Sequence, residues 1–101
     1  MSWGELLDAY QSARRAGDRR ATERIVKDAR RLLSQATAEE WTLLEAALHD
    51  QERKWLVAGV FSKAPVPKRL FKAMLRAAVY EVNPSFNRYF VEPCITAFGQ
   101  P

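Results

Sequence analysis

The chain has 101 residues, 48% of them apolar and 28% charged, the make-up of one soluble globular domain or of a piece cut from a longer protein. Its net charge of +4 and isoelectric point near 9.6 favour nucleic acid, acidic proteins or anionic lipid as partners, though many small domains carry such charge for solubility alone. A membrane segment is excluded because no apolar run approaches the roughly 20 residues that span a bilayer, and an internal disulfide because Cys94 is the only cysteine.

Met1-Ser2-Trp3-Gly4-Glu5 carries no basic stretch leading into an apolar one, so no secretory leader is expected. A cytoplasmic, reducing setting is the expectation.

A first helix is expected over Trp3 to Ala16. Trp3, Leu6, Leu7, Tyr10 and Ala13 fall on one face at helical spacing. Ser2 and Glu5 have the spacing of a capping box, and Gly17 is a natural stop. Asp18 can cap a second helix, about Arg19 to Ala36. Its buried stripe would be Ile25, Ala29, Leu32, Leu33 and Ala36, with Arg20, Arg24, Lys27 and Arg31 opposite. The short Gly17-Asp18 link makes the pair an antiparallel hairpin.

Thr37-Ala38-Glu39-Glu40 opens a third helix with another capping box, and His49-Asp50 ends it. Asp50 can cap the fourth helix, Gln51 to about Lys63. That helix contains the apolar run Trp55 to Phe61 and is expected at the centre of the domain, with Ala58 and Gly59 letting neighbours approach closely. Ala64-Pro65-Val66-Pro67 breaks the chain, and Pro67 suits the first turn of a fifth helix reaching about Val82. Leu70, Phe71, Met74, Leu75, Ala78 and Val82 make its core face; Lys68, Lys72 and Arg76 lie away from it. Asn83-Pro84 starts a sixth segment carrying Phe86, Tyr89, Phe90, Ile95 and Phe98. Pro93 should kink or divide it, and Gly99 stops it.

The expected class is therefore all-α: about six helices in three antiparallel hairpins, in one domain over residues 1–101. Residues Trp41 to Phe98 resemble HEAT or armadillo-type helical repeats. The carriers are Leu48-x-Asp50 at a helix junction, Arg53-Lys54 at the next helix start with Ala58 inside it, Pro65-x-Pro67 and Asn83-Pro84-Ser85. The spacing from Asp50 to Arg53 is shorter than that family's usual loop, and no strict repeat period is kept. Trp3-x-x-Leu6-x-x-x-Tyr10 resembles the opening of a tetratricopeptide repeat, with Leu7 where that family places glycine. Both resemblances imply a scaffold that binds other macromolecules, and a stacked superhelical layer. A compact bundle of the same helices satisfies the pattern equally.

No enzyme is expected. Adjacent His49 and Asp50 leave a helix in different directions, and a catalytic site needs a base, an orienting group and a pocket together. No metal or cofactor is expected, since His49 and Cys94 are too few for a site of about four ligands. Glu39 and Glu40 are accounted for by the capping box. Three surfaces are candidates for partners. Arg20, Arg24, Lys27 and Arg31 form a solvated ridge about 16 Å long, with Arg19 and Arg30 beside it, that can follow a phosphate backbone, though no aromatic is interleaved to stack on bases. Lys68, Lys72 and Arg76 form a shorter one. The aromatic C-terminal segment, with Tyr80, Phe86, Tyr89, Phe90 and Phe98 rimmed by Asn87, Arg88 and Glu92, is either ordinary packing or the exposed end of an array, open to a protein or to a second copy in a homodimer. Protein binding is the leading expectation and backbone-directed nucleic-acid binding the alternative.

Overall fold

Short polar residues set the helix starts. In the computed structural model, which describes residues 2–81 and 84–95 (backbone only for 84–87), Ser2 Oγ accepts the Glu5 N–H and Glu5 Oε1 accepts the Ser2 N–H. Helix α1 follows, Trp3–Arg15, and closes at Gly17 with φ of 71°, a conformation that costs glycine nothing. Asp18 accepts the Ala21 N–H and opens α2, Arg19–Leu32. Thr37 and Glu40 complete the second capping box, at the head of α3, Ala38–Ala47. Helices α4 (Lys54–Phe61), α5 (Phe71–Tyr80) and α6 (Pro84–Cys94) complete an all-helical architecture with no strand among the described residues.

Three boundaries differ from expectation. Helix α2 tightens into a 3-10 turn at Leu33–Gln35 before Ala36 goes extended. The fourth helix starts at Lys54, because Asp50 Oδ1 takes the N–H groups of both Glu52 and Arg53 and folds residues 50–53 into turns. Pro67 stands extended ahead of a 3-10 turn, Lys68–Leu70, and α5 begins only at Phe71. Pro93 does not divide α6, which runs on to Cys94. Proline there removes a single backbone donor. The expectations for Val82, Asn83, Phe98 and Gly99 lie outside the described residues, as does the Phe86 side chain.

Helix α1 packs along α2, and α5 along α6. Helix α4 lies between them, most extensively against α2 and also against α6 and α3. Leu56, Val57, Ala58, Val60 and Phe61 are buried on it, and they meet Leu44, Leu70, Met74 and Phe90 in one core. Burying a side chain such as Leu56 contributes about 1.5–3 kcal/mol. Helix α2 contributes less than its pattern implies. Ala29 is buried, while Ile25, Leu32, Leu33 and Ala36 are half-buried, because α2 is an outer helix. It approaches α4 at Gly59, where an added Cβ would stand 3.2 Å from Val26 Cγ2. The radius of gyration, 12.8 Å, matches the roughly 13 Å of a compact domain this long, and the overall dimensions are 38 × 31 × 20 Å.

Polar contacts fasten the helices at their rims. Arg53 donates to Asp8 (2.6 Å) and Gln11 (3.1 Å), while Glu52 accepts from Gln11 and takes two hydrogen bonds from Arg15. These tie α1 to the turns ahead of α4. Arg69 donates to Glu45 and Thr42, joining the turn before α5 to α3. One ion pair is deep: Lys54 Nζ meets Glu81 Oε2 at 2.7 Å, with Lys54 only 2% exposed.

Candidate functional site

The surface richest in mixed chemistry is an open groove where α1, α2 and α4 meet. Tyr10 lies in its bed, held by α1 and mostly buried, and burial raises its hydroxyl pKa against the opposing hydrogen bond and charge of Arg14. Ala58 and Gly59 of α4 form the neighbouring floor. Val26 packs close over Gly59, where a Cβ would stand 3.2 Å from its Cγ2, so the open part of the floor lies toward Tyr10 and Trp55. Toward the α1–α2 turn the groove widens into a hollow of about 390 Å³ between Arg14, Arg19 and Thr22. Its middle, about 500 Å³, is walled by Lys27 and Lys63. A third hollow, about 420 Å³, lies between Arg14, Trp55, Ser62 and Tyr89.

The cations on these walls come from two helices and a loop. Arg14, Arg19, Lys27 and Lys63 make no ion pair within 4.0 Å among the described residues. Arg30 is committed: Nη2 donates to the Gly59 carbonyl at 2.8 Å and Nε to the Val60 carbonyl at 3.1 Å, capping the end of α4. Trp55 is engaged as well. The Arg14 guanidinium lies 5.5 Å from its ring centroid and Lys54 Nζ 5.3 Å, with the Tyr89 and Phe90 rings alongside.

The expected site residues part company. Arg20, Arg24, Lys27 and Arg31 are all exposed on α2, without ion pairs among the described residues, and Lys27 turns onto the groove. Lys68, Lys72 and Arg76 are exposed on another part of the molecule. Tyr89 is 43% exposed and edges the groove. Phe90 corrects the expectation: it is fully buried against Trp55 and under Lys54, so it packs the core and offers a partner nothing. The side chains of Phe86 and Asn87 lie outside the described residues. On α5, Val79 and Tyr80 are exposed, Val79 at 79%.

The absence of aromatics beside the basic stripe also needs correcting. Tyr10 and Trp55 arrive beside Lys27 from other helices, which no linear spacing reveals. Sequence reasoning likewise missed Arg14 and Lys63, and set Arg19 only beside the ridge. The one local signal was Tyr10 and Arg14 at i, i+4, a spacing that makes helical side chains meet. His49 is exposed, and Cys94 is buried with its thiol pKa raised by desolvation. Among the described residues no three His, Cys, Asp or Glu side chains gather as a metal-ligand set, and no helix is long and apolar enough to cross a membrane. Comparison of the chain with protein-family models, curated proteins and solved structures found no match.

Proposed function

We propose that this chain is a non-enzymatic interaction module that binds other proteins, a cytoplasmic scaffold unit on the plan of a HEAT- or armadillo-like repeat. The observation that carries the reading is the groove. Like charges at Arg14, Arg19, Lys27 and Lys63 border an apolar floor at Tyr10, Ala58 and Gly59. A complementary partner relieves the repulsion between the cations and removes the floor from water. The test is site-specific photo-crosslinking in cells, with the reactive residue at Ser62 in the groove and at Lys72 outside it. Protein adducts that depend on Ser62 are expected. Turnover of a small substrate, abolished by one point substitution in a folded monomer, would overturn the reading.

Backbone-directed nucleic-acid binding is the second reading, favoured by the exposed ridge of Arg20, Arg24, Lys27 and Arg31. Neutralised phosphates release counterions, so such binding must weaken steeply with salt. Anisotropy titrations against duplex and single-stranded oligonucleotides at low salt test it. Binding that is indifferent to charge reversal at Arg20, Arg24 and Arg31 removes the ridge from consideration.

A further inference from the structure

We infer that the groove takes an acidic, extended peptide segment carrying one bulky apolar side chain, which seats over Gly59. The inference rests on the protein-binding reading and names the chemistry of the partner.

Charge complementarity is the first argument. Arg14, Arg19, Lys27 and Lys63 line the three hollows, and the carboxylates beside them are Asp18 and Glu23. Asp18 is already spent on the Ala21 N–H. The field in the groove is therefore positive, and it is spread along the groove's length.

Shape is the second. The floor has an apolar notch, the hollow of about 420 Å³ between Tyr10, Trp55, Ala58 and Tyr89, with half-buried Gly59 backbone at its base. An apolar side chain placed there covers apolar surface without displacing a charged group. The groove's hydroxyls complete the pattern. Ser62 Oγ donates inward to the Gly59 carbonyl at 2.7 Å, and Thr22 Oγ1 to the Arg19 carbonyl at 2.8 Å. Each hydroxyl then has its lone pairs left, so toward a ligand it accepts and cannot donate. Cationic donors for carboxylates, hydroxyl acceptors for backbone N–H groups and one apolar notch match an acidic peptide.

They match single-stranded nucleic acid less well. Sequence-tolerant strand binding needs aromatic faces for bases to stack on. Tyr10 is mostly buried, and Trp55 is packed by Arg14, Lys54, Tyr89 and Phe90.

The experiment is fluorescence anisotropy with a fluorescein-labelled peptide of glutamates around a central leucine. The comparators are the same peptide with glycine for leucine, a lysine-for-glutamate version and a labelled oligothymidylate. The leucine should tighten binding roughly tenfold over glycine, the worth of one buried side chain. The Lys27→Glu/Lys63→Glu double variant should weaken it by about a hundredfold, while Lys72→Glu/Arg76→Glu changes it by less than about threefold. Ser62→Phe, which fills the notch from an exposed position, should remove the leucine's advantage and keep the glutamate-dependent part. Circular dichroism checks that each variant is folded. Equal affinity for the leucine and glycine peptides, tighter binding of oligothymidylate, or equal loss in both charge-reversal variants would overturn the inference. If the peptides fail while Ser62 still crosslinks to proteins, the inference falls and the protein-binding reading stands. If both fail, both fall.

Discussion

Removing the carboxylate opposite Lys54 should be among the most damaging single changes available in this protein. The Lys54 ammonium is buried, 2.7 Å from Glu81 Oε2 and 3.0 Å from Gln51 Oε1, and it stands over the Trp55 and Phe90 rings at 5.3 and 5.6 Å. The Glu81 side chain is itself only 8% exposed. In Glu81→Leu the ammonium keeps one neutral acceptor and two ring faces but loses its counter-charge. Breaking a buried pair in this way costs about 3–5 kcal/mol, and the retained contacts place this case near 3. For a domain of this length that lowers Tm by roughly 12–24 °C. Changing both partners, Lys54→Met with Glu81→Leu, removes the desolvation penalty with the charge and should return stability to within about 1.5 kcal/mol of wild type. Thermal and urea unfolding followed by circular dichroism measure all three proteins. If Glu81→Leu melts with wild type, water reaches the pair and the buried-charge argument is wrong. If the double variant is as unstable as the single, lost packing and not charge carries the effect.

Three more outcomes are expected. Arg30→Met strands the Val60 carbonyl at the end of α4, the Gly59 carbonyl keeping Ser62 Oγ, and should cost about 1–3 kcal/mol by urea midpoint, with Arg30→Lys restoring less than half, since an ammonium cannot reproduce the two-pronged geometry. Gly59→Ala places a methyl 3.2 and 3.3 Å from the two Val26 methyls, so it should not stabilise in the wild-type background; in Val26→Ala it should gain about 1 kcal/mol from helix propensity. Equal effects in the two backgrounds would show that Val26 yields freely. Hydrogen bonds from Arg15 and Gln11 hold the Glu52 carboxyl down at about 2 from an ordinary 4.5. A lowered folded-state pKa stabilises fully above the unfolded value, so this contribution is present above pH 4.5 and lost as pH falls through about 2. Glu52→Gln should flatten the acid limb of a stability–pH curve, and an unchanged limb would refute the assignment.

What could be read along the chain was what acts over a few residues. Ser2 with Glu5, Thr37 with Glu40, Gly17 and Asp18 perform the predicted tasks because caps and stops are settled within one turn. The centrality of Trp55 to Phe61 was legible because a helix apolar on most sides needs neighbours on most sides. Contacts between distant residues were not legible. Glu40 also accepts the Trp3 N–H at 3.4 Å, joining the heads of α3 and α1, and nothing in its capping-box spacing announces that. Arg30 looked like one more solvated cation, yet it reaches α4 backbone 29 and 30 residues away. The groove was hidden for the same reason: Tyr10, Lys27, Gly59 and Tyr89 become neighbours only once four helices have packed. Phe90 was misread because an aromatic near one end of a chain looks alike whether it faces water or core.

Helix α4 spans eight residues, about 12 Å at 1.5 Å per residue, well short of what holds a helix together alone in water. No side chain of its own first residues caps it. Asp50 organises the turns that lead into it, and Arg30 of α2 caps its last carbonyls. The helix at the centre of the core is thus the one least able to exist by itself. A chain severed between α2 and α3 would leave neither part with a nucleus, since one part holds the cap and the other the helix to be capped. Arrays of near-independent units can gain or lose a unit and propagate folding along their length. Here the centre is held in common by elements on both sides, so these helices should fold and melt as one indivisible step.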